Sequence, residues 1–214
     1  VQVVSVKPVG ATSTNRAARW PLRYELQPVF GAAGTQFYMY VDHYKADSGS
    51  TNQARRNVEA QQVRADADSL GPDAHIIYAG DFNLTSGSSE NAYQTLIAAG
   101  NGQAHDTVNP ANNFTQGSSS AYKEFFSESD DDLTARFDFQ LVSAAAINQP
   151  GLELVPDTLS AFGTTIWTGA TPSTTLGYHG DVTDAGNGAL ADLSNRSAVF
   201  SALVGSLRWP LMCQ

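Results

Sequence analysis

Short stretches of apolar and near-alternating residues along the chain predict several β-strands. They lie at 1–6, 24–30, 36–41 and 137–142, and they are rich in Val, Tyr, Phe and Met. Such runs are typical of strands in a half-buried sheet. A further run at 74–79 is apolar apart from His75 and predicts a buried strand that stops at Gly80.

Longer stretches without Pro or Gly predict helices. The clearest spans 52–70 and is closed by Gly71-Pro72, a strong stop signal, and others are predicted at 88–99 and 189–204. The order strand, helix, strand from 36 to 79 predicts a βαβ unit with the helix as crossover. We therefore predict an α/β or α+β fold in a single domain over 1–214.

Charge on the first helix predicts a solvent-exposed face. Arg and acidic residues recur along it with the spacing of surface ion pairs, at Arg55, Arg56, Arg64, Glu59, Asp66 and Asp68. An exposed helix face that carries both signs of charge is the simplest interpretation of this pattern.

The composition excludes several classes of protein. The net charge is −9, from 12 basic and 21 acidic residues, so the surface repels nucleic acid at long range. The single cysteine excludes an internal disulfide and a Cys-rich zinc site. No apolar run approaches the roughly 18 residues of a membrane span. High Ser, Thr, Asn and Gly with only three Lys residues predicts a secreted or extracytoplasmic bacterial protein.

Polar residues interrupt the predicted strands at three points. His43 ends V-D-H-Y-K-A, Asp81 and Asn83 follow Gly80 in Y-A-G-D-F-N, and Asp138 lies within A-R-F-D-F-Q-L-V-S. Each has an ordinary explanation as turn chemistry or as a residue with a local partner, such as Arg136 beside Asp138. Each can also belong to a site, because ligands of α/β sheets collect at the carboxyl ends of strands.

Taken together, these three motifs resemble the endonuclease/exonuclease/phosphatase superfamily, whose fold is DNase I-like. In that family a strand ending in His precedes a helix and a Gly-Asp-Phe-Asn signature, and an Arg-x-Asp with an apolar strand follows. The order, the spacing and the intervening helix match here over roughly residues 16–142.

The resemblance implies a four-layer sandwich of two β-sheets flanked by helices. It also implies a hydrolase or phosphodiesterase that uses magnesium (or Mn²⁺/Ca²⁺) on a phosphate-ester substrate, such as a nucleic acid, a phospholipid head group or a sugar phosphate. Asp81 would orient or activate water and bind the metal. Asn83 would hold that water and contact the phosphate, and His43 would donate a hydrogen bond to the phosphate oxygens. Asp138 would complete the polar floor. Lys45 and Arg136 are candidates for binding the anionic substrate, and Arg136 is also the expected structural partner of a carboxylate.

Two departures from the family pattern support an alternative. The N-terminal strands that carry an Asn and a metal-binding Glu are not found, and Glu25 lies in a different context. The closing Ser-Asp-His motif corresponds best to 206–211, where Leu207 and Arg208 stand at the Asp and His positions, and Arg cannot act as a His-like base. His179 with Asp181 is a further candidate substitute. The alternative is an inactive or partial member that acts as a binding module, or one whose fold is completed by a further chain or a homo-oligomer.

Overall fold

The computed structural model describes residues 1–13, 16–29, 35–107, 136–148 and 151–155, with a short strand at 207–208. The strands in these ranges are β1 (Gln2–Pro8), β2 (Leu22–Gln27), β3 (Phe37–His43), β4 (Ile76–Asp81), β5 (Ala104–His105), β6 (Asp138–Ser143), β7 (Glu153–Leu154) and β8 (Leu207–Arg208). The helices are α1 (Ser50–Asp68), α2 (Asn91–Ile97) and α3 (Ala145–Asn148), and a 3₁₀ turn spans Gly87–Ser89. The helix predicted at 189–204 lies outside the described residues.

Six strands form one mixed sheet in the order β1-β2-β3-β4-β6-β5. The β3–β4 pair is parallel, with α1 as its crossover, and the other neighbouring pairs are antiparallel. The predicted βαβ unit and the α/β class are therefore confirmed. β7 and β8 pair separately as a two-stranded ladder.

The two faces of the sheet carry different cores. The face toward α1 and α2, here called the helix face, is built on stacked aromatic rings: Tyr40 on Tyr78 at 5.3 Å, Tyr44 on Phe82 at 4.9 Å and Phe82 on Phe139 at 5.4 Å. The opposite face, here called the site face, buries a smaller cluster of Phe37, Met39, Ile77, Ala79 and Leu152. Full burial of each large side chain contributes about 1.5–3 kcal/mol. The central strands β3 and β4 are consequently held from both sides.

The prediction of an exposed, salt-bridged face on α1 is wrong for Arg56, Glu59 and Arg64, although the expected helix ion pair between Arg64 and Asp68 is present at 3.0 Å. Arg56 and Glu59 are fully buried and Arg64 is nearly so. Their charges bind the backbone of neighbouring loops: Glu59 accepts from the amides of Ala18 and Lys45, at 2.7 and 2.8 Å. Buried charge is tolerated when it is paired and hydrogen-bonded, so this side of α1 fastens loops to the sheet.

Across the described ranges, no helix has the length and apolar character needed to cross a bilayer.

Candidate functional site

Three of the residues singled out in the sequence lie side by side at one end of the sheet. His43 of β3 pairs with Asp81 of β4, and Asp81 pairs with Asp138 of β6. Paired residues of adjacent strands point to the same face, at Cβ separations of about 4.5–5.5 Å in antiparallel pairs. His43, Asp81 and Asp138 therefore form one row, here called the polar row, across three neighbouring strands.

Gly80 allows β3 and β4 to come together next to the polar row. Its backbone φ is +140°, a value that residues other than glycine rarely adopt. A Cβ built at Gly80 would overlap the carbonyl oxygen of Asp42 on the adjacent strand. The glycine of the signature is thus required by the close approach of two backbones.

Asp81 is oriented by the turn that follows it. The backbone N–H of Asn83 donates to Oδ1 of Asp81 at 3.0 Å, and the Asn83 side-chain amide donates to the carbonyl of Tyr44 at 3.2 Å. Asn83 has φ +49°, a left-handed conformation that Asn tolerates better than most residues. Asn83 therefore fixes the turn and the Asp81 carboxylate. Its predicted contact with a phosphate stays a prediction.

His43 borders the Asp81 carboxylate and is open to solvent. Its Nε2 lies 3.7 Å from Oδ2 of Asp81, and the two side chains are 46% and 23% exposed. Arg19 donates to the carbonyls of His43 and Tyr44 at 3.2 and 2.7 Å, which fixes the end of β3. A ligand can therefore reach both side chains from solvent.

The donor set of the row fits a hydrated divalent cation. Asp81 and Asp138 stand directly opposite each other and bring two carboxylates to one end of the sheet. Mg²⁺ keeps several waters and takes one or two carboxylates, which is what these two residues offer. Among the described residues there is no group of three or more His, Cys, Asp or Glu side chains arranged to hold a metal.

The two candidate substrate-binding cations differ in their surroundings. The Nζ of Lys45 donates to Oδ2 of Asp47 and to the carbonyl of Ala46, both at 2.8 Å. Arg136 is buried and forms a bidentate ion pair with Asp106, at 2.7 and 3.1 Å. Its guanidinium also lies over the ring of Phe139. This geometry favours a structural role for Arg136, with Asp106 as its carboxylate, and the predicted binding roles of both cations stay predictions.

Arg56 joins the loops that follow β3 and β4, and the sequence pattern did not indicate it. Its guanidinium donates to the carbonyls of Lys45 and Asp47 at 2.7 and 2.8 Å and to Oγ1 of Thr85 at 3.0 Å. It also forms a buried ion pair with Glu90. The loop after β3 and the loop after β4 are thereby held by one side chain, and this arrangement is here called the Arg56 clasp.

Asp42 lies on the helix face, behind the polar row, and is buried with no hydrogen-bond partner for its carboxylate oxygens among the described residues. Burial raises the pKa of the Asp42 carboxyl well above its ordinary value, and the nearby Glu59 raises it further. The folded protein therefore retains a proton that the unfolded chain loses above about pH 4.

Asp42→Asn is expected to stabilise the protein at neutral pH. Since the folded state of the parent binds the extra proton, its free energy of unfolding falls as pH rises above about 4. Asparagine binds no such proton, so this fall with pH should be absent and the variant should be more stable than the parent at pH 8. Urea unfolding at pH 5 and pH 8 measures both effects, with Asp73→Asn, at an exposed aspartate, as the control. An unchanged slope with pH in Asp42→Asn would show that Asp42 does not carry the proton.

His179, Asp181 and most of the segment 206–211 lie outside the described residues, which include only the short strand β8 from that segment.

Comparisons with known proteins give similarity at the level of structure alone. No protein-family model matches the sequence, and no curated protein is significantly similar to it. The chain is similar to the human Nocturnin catalytic domain with bound sulfate (TM-score 0.48, 15% identity, covering 72% of this chain and 50% of that one). It is also similar to sphingomyelinase C from Streptomyces griseocarneus (TM-score 0.44, 16% identity, covering 72% of this chain and 54% of that one). A third similar structure is a Staphylococcus aureus beta toxin with bound magnesium ions (TM-score 0.40, 12% identity, covering 64% of this chain and 47% of that one). These proteins have DNase I-like folds. The chain spans about half the length of the solved structures that it matches.

Proposed function

We propose that the protein hydrolyses phosphate esters with the help of a divalent cation, most simply Mg²⁺, at the polar row. The observation that carries the proposal is the register that brings His43, Asp81 and Asp138 together at the carboxyl ends of the parallel strands β3 and β4. The sequence resemblance to the endonuclease/exonuclease/phosphatase superfamily supports the same assignment, because the motifs that carry it contain these three residues.

Each residue of the row has a role that its surroundings support. Asp81, with Oδ1 fixed by the Asn83 amide, orients the attacking water through its other oxygen and accepts a proton from it. His43 is half exposed, and its ring N–H donates to a non-bridging phosphate oxygen. Asp138 holds the cation together with Asp81. When bound, the cation takes up negative charge that develops on the phosphoryl oxygens.

The proposal also includes a single domain with the four-layer sandwich, which the motifs support. It further includes export of the protein from the cell, which the composition supports. The net charge of −9 disfavours tight non-specific binding to nucleic acid. A small or locally recognised phosphate ester suits this surface better than a long polyanion.

Asp81→Asn is expected to lower the metal-dependent hydrolysis of bis-p-nitrophenyl phosphate by about 100-fold. The asparagine side chain keeps the shape of the aspartate and can still accept the hydrogen bond from the Asn83 backbone N–H, but it cannot accept a proton from water. General base catalysis contributes about 10²-fold or more, so its loss accounts for the expected decrease. The rate is measured with Mg²⁺, with Mn²⁺ and with EDTA.

Asp73→Asn, at an exposed aspartate away from the polar row, is the matched control and should retain the parent rate. Hydrolysis that survives Asp81→Asn would rule out the polar row as the catalytic site. A parent protein with no metal-dependent activity would favour the alternative of a binding module or of one part of an assembly. The molecular mass in solution then separates these two.

A further inference from the structure

Gln140 is a buried polar residue on the site face that the roles above do not use. It is 3% exposed, and neither its amide nitrogen nor its carbonyl oxygen has a hydrogen-bond partner among the described residues. It lies two residues after Asp138 on β6, so its side chain points to the same face as Asp138.

The register places Gln140 directly beneath the polar row. The next row along the strands toward the sheet interior is Val41, Ala79 and Gln140, and the row after it is Met39, Ile77 and Val142. Successive same-face residues of a strand are about 7 Å apart. Gln140 is thus the polar member of an otherwise apolar row, one step from Asp81 and Asp138.

Packing alone does not explain a glutamine at this position. A buried amide without hydrogen bonds destabilises the folded state, whereas a leucine of similar size would fit an apolar row without that cost. The residue opposite, Ala79, offers only a methyl group and no hydrogen-bond partner for the amide. A buried polar group without a partner is accounted for most simply by a ligand or a bound water.

We propose that Gln140 is a positioning residue of the cation site. Its amide group binds a water molecule beneath the polar row. That water links the glutamine to the carboxylates of Asp81 and Asp138 and sets their orientation toward a hydrated divalent cation. Partners of this kind, behind the direct ligands, typically change metal affinity or activity by about 10–100-fold when they are removed. The inference rests on the proposed function for its cation, and its test has readouts of its own.

Gln140→Leu is expected to make the protein more stable and the site weaker. Replacing an amide that is satisfied only through a trapped water by an apolar side chain that suits the row should raise the melting temperature without metal by about 2–6 °C. Affinity for Mn²⁺, measured by titration calorimetry, should fall about tenfold or more, as should the rate of bis-p-nitrophenyl phosphate hydrolysis. A residue with a purely structural role would not combine higher stability with a weaker site.

Val142→Ala is the matched control, because Val142 is buried on the same strand and face but one row further from the site. It should lower the melting temperature and leave the Mn²⁺ affinity unchanged. If Gln140→Leu keeps the Mn²⁺ affinity and the rate within twofold, or is less stable than the parent, the inference about Gln140 is overturned while the proposed function stands. If the parent binds Mn²⁺ but hydrolyses nothing, the proposed function fails and the affinities still decide on Gln140. A parent that neither binds Mn²⁺ nor hydrolyses overturns both.

Discussion

Replacing Arg56 with methionine is expected to lower the free energy of unfolding by about 3–5 kcal/mol. The side chain of Arg56 is completely buried, and its ion-pair partner Glu90 is buried with it. Methionine fills most of the volume but leaves the Glu90 carboxylate without its counter-charge, and breaking a buried pair in this way typically costs that much. Chemical unfolding monitored by circular dichroism measures the change.

Arg55→Met is a control of the same chemistry one residue away. Arg55 is partly exposed and donates to the carbonyl of Arg16 at 2.7 Å, so its loss is expected to cost about 1 kcal/mol or less. The double variant Arg56→Met with Glu90→Gln removes the unpaired charge and should recover part of the loss. Equal effects of the two arginine variants would contradict the Arg56 clasp as described.

The same substitution bears on the site. Because Arg56 holds the carbonyls of Lys45 and Asp47 and the hydroxyl of Thr85, it fixes the loops that follow both His43 and Asp81. Under conditions in which the variant remains folded, the Mn²⁺ affinity of the polar row should therefore also fall.

Gly80→Ala is expected to cost about 4 kcal/mol of the free energy of unfolding. An alanine at φ +140° is strained by about 1–3 kcal/mol, and its Cβ would overlap the Asp42 carbonyl, which adds the cost of moving one central strand from the other. Thermal and urea unfolding measure the total.

Gly71→Ala separates the two causes. Gly71 also has a left-handed φ, of +91°, but a Cβ there meets nothing within 4 Å. It therefore reports the conformational strain alone, and the difference between the two variants reports the overlap between β3 and β4. Equal costs would mean that the strands do not approach as closely at Gly80 as described.

The sheet and the polar row could be predicted from the sequence because their signals are local. Apolar runs of strand length, a long helical stretch and the stop at Gly71-Pro72 predict a βαβ unit, and a parallel pair then brings two strand ends together. Boundaries were less accurate. β4 continues through Asp81, and the second helix begins at Asn91, after Glu90.

The buried charges could not be predicted, because their partners are far apart in the chain. Arg136 and Asp106 are 30 residues apart, and Arg56 and Glu90 are 34 apart. Helical spacing indicates that charged residues share a face, but it does not indicate whether that face meets water or loop carbonyls. For this reason the spacing predicts a solvent-exposed Arg56 and Glu59, whereas both are buried.

The alternation of side chains along the central strands has a consequence for how such a chain can evolve. The residues of the polar row do not belong to the aromatic core on the helix face, so replacing them leaves that core complete. A lineage could therefore lose the proposed chemistry through a few replacements and still inherit the fold. Insertions are different. One extra residue early in β6 would turn the following side chains to the opposite face and disturb site and core together. In this architecture, replacements can separate ancestry from activity, whereas changes in strand length cannot.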